Sequence, residues 1–317
     1  MSESRSEVSA IEGTVVRANS GLYEVQTAAG NFICRLRGNL KKELIRPESD
    51  SLRPRVQKAR RRRVTDPVAV GDRVILHPEV AVIEEVLPRR NALRRPAPHT
   101  GDQHTLLANL DQAVIVFSTI EPRLDLWQLD RFLVAVEAAA VDPLLCINKI
   151  DLVPAEKVQE ALSVYRRLGY EILFTSAVDG QGVDELRCRL QGKISIFCGP
   201  SGVGKSRLLN AIQPGLNLRV GEVSPVSGKG RHTTSQVELL PLENGGWVAD
   251  TPGLRQLGLW DISPQELPYY FREFEPYLGQ CYFADCTHQR EPGCAIRAAV
   301  AAGAIDERRY RSFCQMQ

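Results

Sequence analysis

Gly199-Pro200-Ser201-Gly202-Val203-Gly204-Lys205-Ser206 is the segment of this chain whose residue types and spacing speak most directly of chemistry. It fits G-x-x-x-x-G-K-[ST] and lies between an apolar, strand-like run, KISIFCG, and a helix-like one, RLLNAI. Glycines so placed let backbone N–H groups converge on phosphate oxygens at the positive end of a helix. Lys205 would reach the β- and γ-phosphates, and the Ser206 hydroxyl would ligate Mg²⁺, with Arg207 next along the helix. The implied chemistry is that of a bound nucleoside triphosphate.

Asn148-Lys149-Ile150-Asp151 follows the apolar run LLCI and supplies a base-recognition element. A carboxylate at Asp151 accepts both the N1–H and the N2 amino proton of guanine, whereas adenine offers neither donor. A pocket built for that paired bond rejects the analogue because buried polar groups are left unpaired. Ser176-Ala177, after the strand-like EILFT, would complete the base pocket. Asp250-Thr251-Pro252-Gly253 has the form D-x-x-G, whose aspartate helps position Mg²⁺ and whose glycine N–H, here Gly253, senses the γ-phosphate. Between the two phosphate motifs lies GKGRHTT, where Thr233 or Thr234 would ligate Mg²⁺. Leu254 follows DTPG where Ras-like enzymes place the glutamine that orients water. His232 is therefore the candidate for that task, together with Lys205, the two threonines, Asp250 and Gly253 in the catalytic set.

Cys281-x4-Cys286-x-His288-x5-Cys294 supplies three thiolates and one imidazole over a short span. Four soft ligands at this spacing suit one structural Zn²⁺ and leave no open position for catalysis. Five of the eight cysteines are scattered, and Cys146 and Cys198 sit in apolar runs as small hydrophobes.

The elements that must position these residues fall into three blocks. IEGTVVR, GLYEVQTA, NFICRLR, VAVGDRVIL and VAVIEEVL are short strand-like runs separated by turn chemistry, which suggests a five-stranded OB-like barrel. Phe32, Cys34 and Leu36 alternate with Ile33, Arg35 and Arg37, giving one buried and one mostly basic face. Residues 51–66 hold seven basic residues and one acid, a basic insertion centred on 53–63. From about residue 105, strand-like and helical runs alternate, which predicts an α/β layer with a mostly parallel sheet. The expected organisation is a barrel with basic insertion and disordered N-terminal tail over 1–104, an α/β nucleotide domain over 105–262, and a small α zinc-binding domain over 263–317. Net charge is only +2 and no run approaches the roughly 20 apolar residues of a membrane span. With no secretory signal either, a cytoplasmic protein without a membrane is expected.

The motifs run base element, phosphate loop, threonine loop, D-x-x-G, a circular permutation of the usual GTPase order. With NKID, SA, GPSGVGKS, GRHTT and DTPG in this order, the chain resembles the RsgA (YjeQ) family of circularly permuted GTPases. CRLRG, VGDRV and the Cys/His cluster with EPGC extend the resemblance along the chain. Only the first ten or so residues and the Arg-rich insertion lack a clear match. The resemblance implies a multidomain α/β protein that binds the 30S ribosomal subunit and its 16S rRNA as a monomer. It implies that GTP is hydrolysed to GDP and phosphate late in 30S maturation, with Mg²⁺ and one zinc as cofactors. Gly202 stands where potassium-activated relatives carry asparagine, which puts K⁺ in question. Two other readings fit the same residues: a non-catalytic rRNA-binding scaffold, and a translation or RNA-modification GTPase outside ribosome assembly.

Overall fold

The computed structural model describes residues 10–38, 40, 42–45, 60–63, 67–96, 103–154, 156–216, 237–250 and 262–317. The chain divides into two compact units, one of 1–110 with 234–239 and one of 111–233 with 240–317.

The first unit contains β1 (Ile11–Asn19), β2 (Leu22–Thr27), β3 (Gly30–Leu36), β4 (Lys42–Ile45), β5 (Arg60–Arg63), β6 (Arg73–His77), β7 (Val82–Val86), β8 (Ala92–Pro96) and β9 (Gln103–Ala108). β1 pairs antiparallel with β2, and β2 with β3; β3 runs parallel to β7, β7 antiparallel to β6, and β6 returns to β1. That closed five-strand ring is the expected barrel. Gly13 is where β1 serves two partners: a Cβ there would stand 2.6 Å from Val25 Cγ1 and 2.7 Å from the Gln26 carbonyl. Val15, Val25, Cys34, Leu36, Val74, Leu76 and Ile83 fill the interior. The barrel's GDR turn is structural. Asp72 is buried, accepts the Ala69 N–H at 2.7 Å and takes a two-pronged bond from Arg89, both prongs 2.7 Å. Part of the basic insertion is a strand, since Arg60–Arg63 pairs antiparallel with Lys42–Ile45. The hairpin β8–β9 is an element that the strand-like runs did not announce.

In the second unit, β10 (Gln112–Ser118), α1 (Leu126–Ala138), β11 (Asp142–Asn148), α2 (Glu156–Arg167), β12 (Glu171–Phe174), α3 (Val183–Leu190), β13 (Ile194–Cys198) and α4 (Lys205–Ile212) follow in order. β14 (Glu238–Pro241) and β15 (Trp247–Asp250) flank a tight turn in which the Leu242 N–H donates to the Gly246 carbonyl. The parallel sheet has the order β12-β11-β10-β13-β15. Every residue of β10 is buried, as its apolar sequence requires of a central parallel strand. β10 leads through α1 to β11 on one side, whereas its other neighbour β13 leads through α4 away from it. The strand order therefore reverses between β10 and β13, and ligands of open α/β sheets bind beyond the carboxyl ends at such a point.

After Ile262 come two short 3₁₀ turns, Leu267–Tyr270 and Arg272–Tyr277, then α5 (Ala295–Ala301) and α6 (Glu307–Met316). Phe271 stacks on Phe274 and both meet Phe313 edge-to-face, with ring centroids 5.0 to 5.5 Å apart, and this core includes Val134 of α1. Among the described residues, no helix is long and apolar enough to cross a membrane.

Candidate functional site

The strand β13 delivers Gly199 directly to the switch point. Gly199 has φ +133°, and a Cβ there would lie 2.1 Å from the Val116 carbonyl of β10, so this position is open to glycine alone. Gly202 and Gly204 are also left-handed, at φ +82° and +97°. The loop wraps inward on Val203, whose side chain is fully buried, and α4 opens at Lys205. Ser201 and Arg207 are exposed, while Pro200 and Ser206 are half-buried. The Lys205 ammonium donates to the Gly199 carbonyl at 2.7 Å and to the Pro200 carbonyl at 2.6 Å, which holds it across the mouth of its own loop. Cys198, just before the loop, is no nucleophile, since burial pushes its thiol up to about 12.

The Asn148–Asp151 segment lies against this loop. Asn148 ends β11 and is 1% exposed; its Nδ2 donates to the Val203 carbonyl at 2.9 Å, and its Oδ1 accepts from Thr175 Oγ1 at 3.2 Å. A Cβ on Gly204 would stand 2.5 Å from the same Nδ2. Lys149 takes a left-handed backbone, φ +65°; its carbonyl accepts from Thr119 Oγ1 at 2.9 Å and its ammonium donates to the Glu121 carbonyl. Ile150 is buried beneath, while Asp151 is exposed. Ser176 Oγ donates to Asp151 Oδ1 at 2.8 Å, and Ala177 packs on the apolar core. The structure thus brings NKID, Ser176-Ala177 and the glycine-rich loop to one edge of the sheet. Thr175, Thr119 and the loop before α1 were missed in the sequence. The available signal was the Ser118-Thr119 pair closing an apolar strand in register with Asn148.

Asp250 ends β15, and β15 lies beside β13 with Ala249 opposite Ile196, so its backbone reaches the same sheet edge. Thr251, Pro252, Gly253 and Leu254 lie outside the described residues, as do His232, Thr233 and Thr234.

The Cys281, Cys286, His288 and Cys294 ligand atoms all lie within 4.8 Å of one another. Cys281 Sγ is 3.9 Å from Cys294 Sγ, and His288 Nδ1 is 3.5 and 3.6 Å from those two sulfurs. Bonds of about 2.3 Å to sulfur and 2.0–2.1 Å to nitrogen in a tetrahedron put sulfurs about 3.8 Å apart and sulfur about 3.5 Å from nitrogen. These edges therefore fit one tetrahedral metal ion. His288 reaches the cluster with φ +63°, and the Tyr310 hydroxyl donates to its carbonyl at 2.7 Å. Backbone N–H groups of Ala295 and Arg297 point at Cys281 and Cys294 sulfur, at 3.4 and 3.5 Å, which supports thiolate charge.

On the barrel, Arg35 and Arg37 are exposed beside Ile33, which is 68% exposed, and Arg37 pairs with Glu84 at 2.7 Å. The alternation of buried and basic positions along β3 is as the sequence pattern requires.

Comparison with known proteins places these features in one family. Residues 86–260 match the profile described as RsgA GTPase, and residues 12–48 that of the RsgA N-terminal domain. The chain is 44% identical over 307 residues to the small ribosomal subunit biogenesis GTPase RsgA of Moorella thermoacetica, covering 96% of this chain and 95% of that one. The relative of the same name from Geobacillus kaustophilus is 41% identical, with 95% and 94% covered. Among solved structures, YjeQ from Thermotoga maritima superposes with a TM-score of 0.76 at 37% identity, covering 97% of each chain. YloQ, described as a circularly permuted GTPase, gives 0.73 at 32% identity, covering 99% of this chain and 96% of that one.

Proposed function

The chain belongs to the RsgA family of circularly permuted GTPases, and from that premise we propose that it binds the small (30S) ribosomal subunit and hydrolyses GTP to GDP and phosphate late in 30S maturation. In this reading hydrolysis times its release. The observation that carries the nucleotide half is the bond from Asn148 to the Val203 carbonyl, which locks guanine recognition to the phosphate loop. Asp151 selects guanine, with Ser176 fixing one of its oxygens, and Lys149 and Ala177 border the base. Lys205 releases its two loop carbonyls to take the β- and γ-phosphates, and the N-terminus of α4 faces the phosphate chain.

Mg²⁺ neutralises charge developing on the phosphates when bound. Ser206 and one of Thr233 and Thr234 would hold it, with Asp250 nearby and the Gly253 N–H reading the γ-phosphate. His232 is the residue we assign to orienting the attacking water, because Leu254 has no polar atom to do so. The Cys281, Cys286, His288 and Cys294 cluster holds one structural Zn²⁺. The barrel's Arg35 and Arg37 and the arginines of 53–63 supply phosphate contacts to 16S rRNA. We further propose that the protein acts in the cytoplasm as a monomer, with the barrel over 1–104, the GTPase domain over 105–262 and the zinc-binding domain over 263–317.

Co-sedimentation with 30S, 50S and 70S particles, in GDP and in a non-hydrolysable GTP analogue, tests the partner. Retention on 30S that is stronger with the triphosphate analogue is expected. Selective binding to 50S or 70S would move the chain outside small-subunit assembly.

A further inference from the structure

We propose that guanine-nucleotide binding and metal binding are energetically coupled in this chain through helix α1. Occupation of the Asn148–Asp151 pocket tightens the hold of Cys281, Cys286, His288 and Cys294 on their metal, and the reverse.

One end of the connection is the loop from Thr119 to Asp125, which touches both halves of the nucleotide pocket. It takes the Lys149 ammonium on the Glu121 carbonyl and donates Thr119 Oγ1 to the Lys149 carbonyl. Ser118 Oγ closes its base by donating to the Pro122 carbonyl at 2.7 Å. Pro122 Cδ lies 3.5 Å from where a Cβ on Gly202 would be, so the loop rests against the phosphate loop as well. Lys149 and Glu121 both hold positive φ, +65° and +54°. Side-chain-bearing residues stay in that region only where their surroundings fix them, and such positions gather at ligand sites.

The loop ends at Asp125, whose carboxylate caps α1 by accepting the N–H groups of Trp127 and Gln128 at 2.9 and 3.1 Å. One turn further, Asp130 is wholly buried. It accepts from Arg309 Nη1 at 2.6 Å, Arg308 Nη1 at 2.9 Å and the Tyr165 hydroxyl at 2.5 Å. Arg308 and Arg309 lie on α6, and the next residue, Tyr310, donates its hydroxyl to the carbonyl of the metal-site residue His288. His288 is the third non-glycine residue of the connection with positive φ. Every group named lies in one compact unit, and Val134 of α1 shares its apolar core with Cys294 and Phe313.

A buried ionic network has few alternative arrangements, so a displacement of α1 is passed on rather than absorbed. At the far end it reaches the backbone that aims His288 Nδ1 at the sulfurs. The connection engages the base element and the glycine-rich loop, both of which a diphosphate also fills, and not the D-x-x-G segment assigned to the γ-phosphate. GDP and GTP should therefore act alike through it, unlike a signal carried by the segment after Asp250. Linkage makes the effect reciprocal.

The test is equilibrium competition for Zn²⁺ between the full-length, metal-loaded protein and a chromogenic chelator. It is run without nucleotide, with saturating GDP, and with a non-hydrolysable GTP analogue. Apparent Zn²⁺ affinity should rise at least about fivefold with GDP, and equally with the analogue. Tyr310→Phe, which removes one hydroxyl and leaves every metal ligand in place, should bring the ratio below about twofold. Asp130→Asn should do the same where it folds, and Tyr310→Phe decides the matter if it does not. Bound GDP that leaves the affinity unchanged would overturn the proposal, as would an effect confined to the triphosphate or a ratio untouched in Tyr310→Phe. The coupling rests on the guanine assignment of Asp151: GDP that fails to bind overturns both, whereas GDP bound without effect overturns the coupling alone.

Discussion

Arg309 Nη1 donates to Asp130 Oδ1 at 2.6 Å, and neither side chain retains any contact with solvent. The same guanidinium forks onto Glu273 at 2.7 and 3.1 Å. Burial by itself would depress the arginine, but Asp130 and Glu273 more than offset that and hold it firmly protonated. Two carboxylates thus face two guanidiniums, from Arg308 and Arg309, and the ion group fastens helix α6 to α1 and the 3₁₀ turn at Arg272–Tyr277.

Removing one partner of such a group leaves a buried charge unmatched. Arg309→Met should destabilise the metal-loaded protein by about 3–5 kcal/mol in urea unfolding. A loss below about 1 kcal/mol would place the pair in the range of exposed ion pairs and contradict its burial.

Asp151 stands exposed with one oxygen held by Ser176. Asp151→Asn should weaken GTP binding severely and turn preference toward xanthosine triphosphate, since the amide offers a donor to that base's extra carbonyl. Unchanged GTP affinity in Asp151→Asn would remove NKID as the guanine site.

The metal cluster sets a third expectation. Undenatured protein purified without chelators should carry about one Zn²⁺ per chain, and stripping it should loosen the segment after Ile262. Elemental analysis that finds no zinc would refute this ligand assignment.

What could be read in the sequence follows from how local each feature is. The glycine-rich loop, NKID and the Cys/His cluster are contiguous or nearly so, and their chemistry forces their spacing. The barrel strands announced themselves by alternation, as Cys34 and Leu36 against Arg35 and Arg37 show. Asp130, Tyr165, Glu273 and Arg309 were silent because each looks like an ordinary helix-surface residue. Only the tertiary fold brings those four together. The Glu121 carbonyl was equally hidden, since a backbone acceptor carries no side-chain signature. In the barrel, the GDR turn suggested a family mark, but Asp72 is there to satisfy the Ala69 N–H and Arg89.

Under the proposed assignment, catalysis turns on His232, one residue before the threonine pair. A neutral imidazole can accept a hydrogen bond from the attacking water. His232→Ala should preserve GTP and 30S binding while lowering stimulated turnover at least tenfold, roughly 1.4 kcal/mol of barrier. A loss within about threefold, with both binding steps intact, would discharge His232 from that role.

The rate of GTP hydrolysis with and without purified ribosomal subunits decides whether the proposed guanine-nucleotide site works on the small subunit. Alone, the chain should turn over slowly, because Leu254 cannot orient water. With 30S subunits the rate should rise at least about tenfold, with 50S subunits it should not, and added salt should erode the gain as phosphate contacts are lost. Equal rates with and without 30S subunits would separate GTP hydrolysis in this chain from the small subunit.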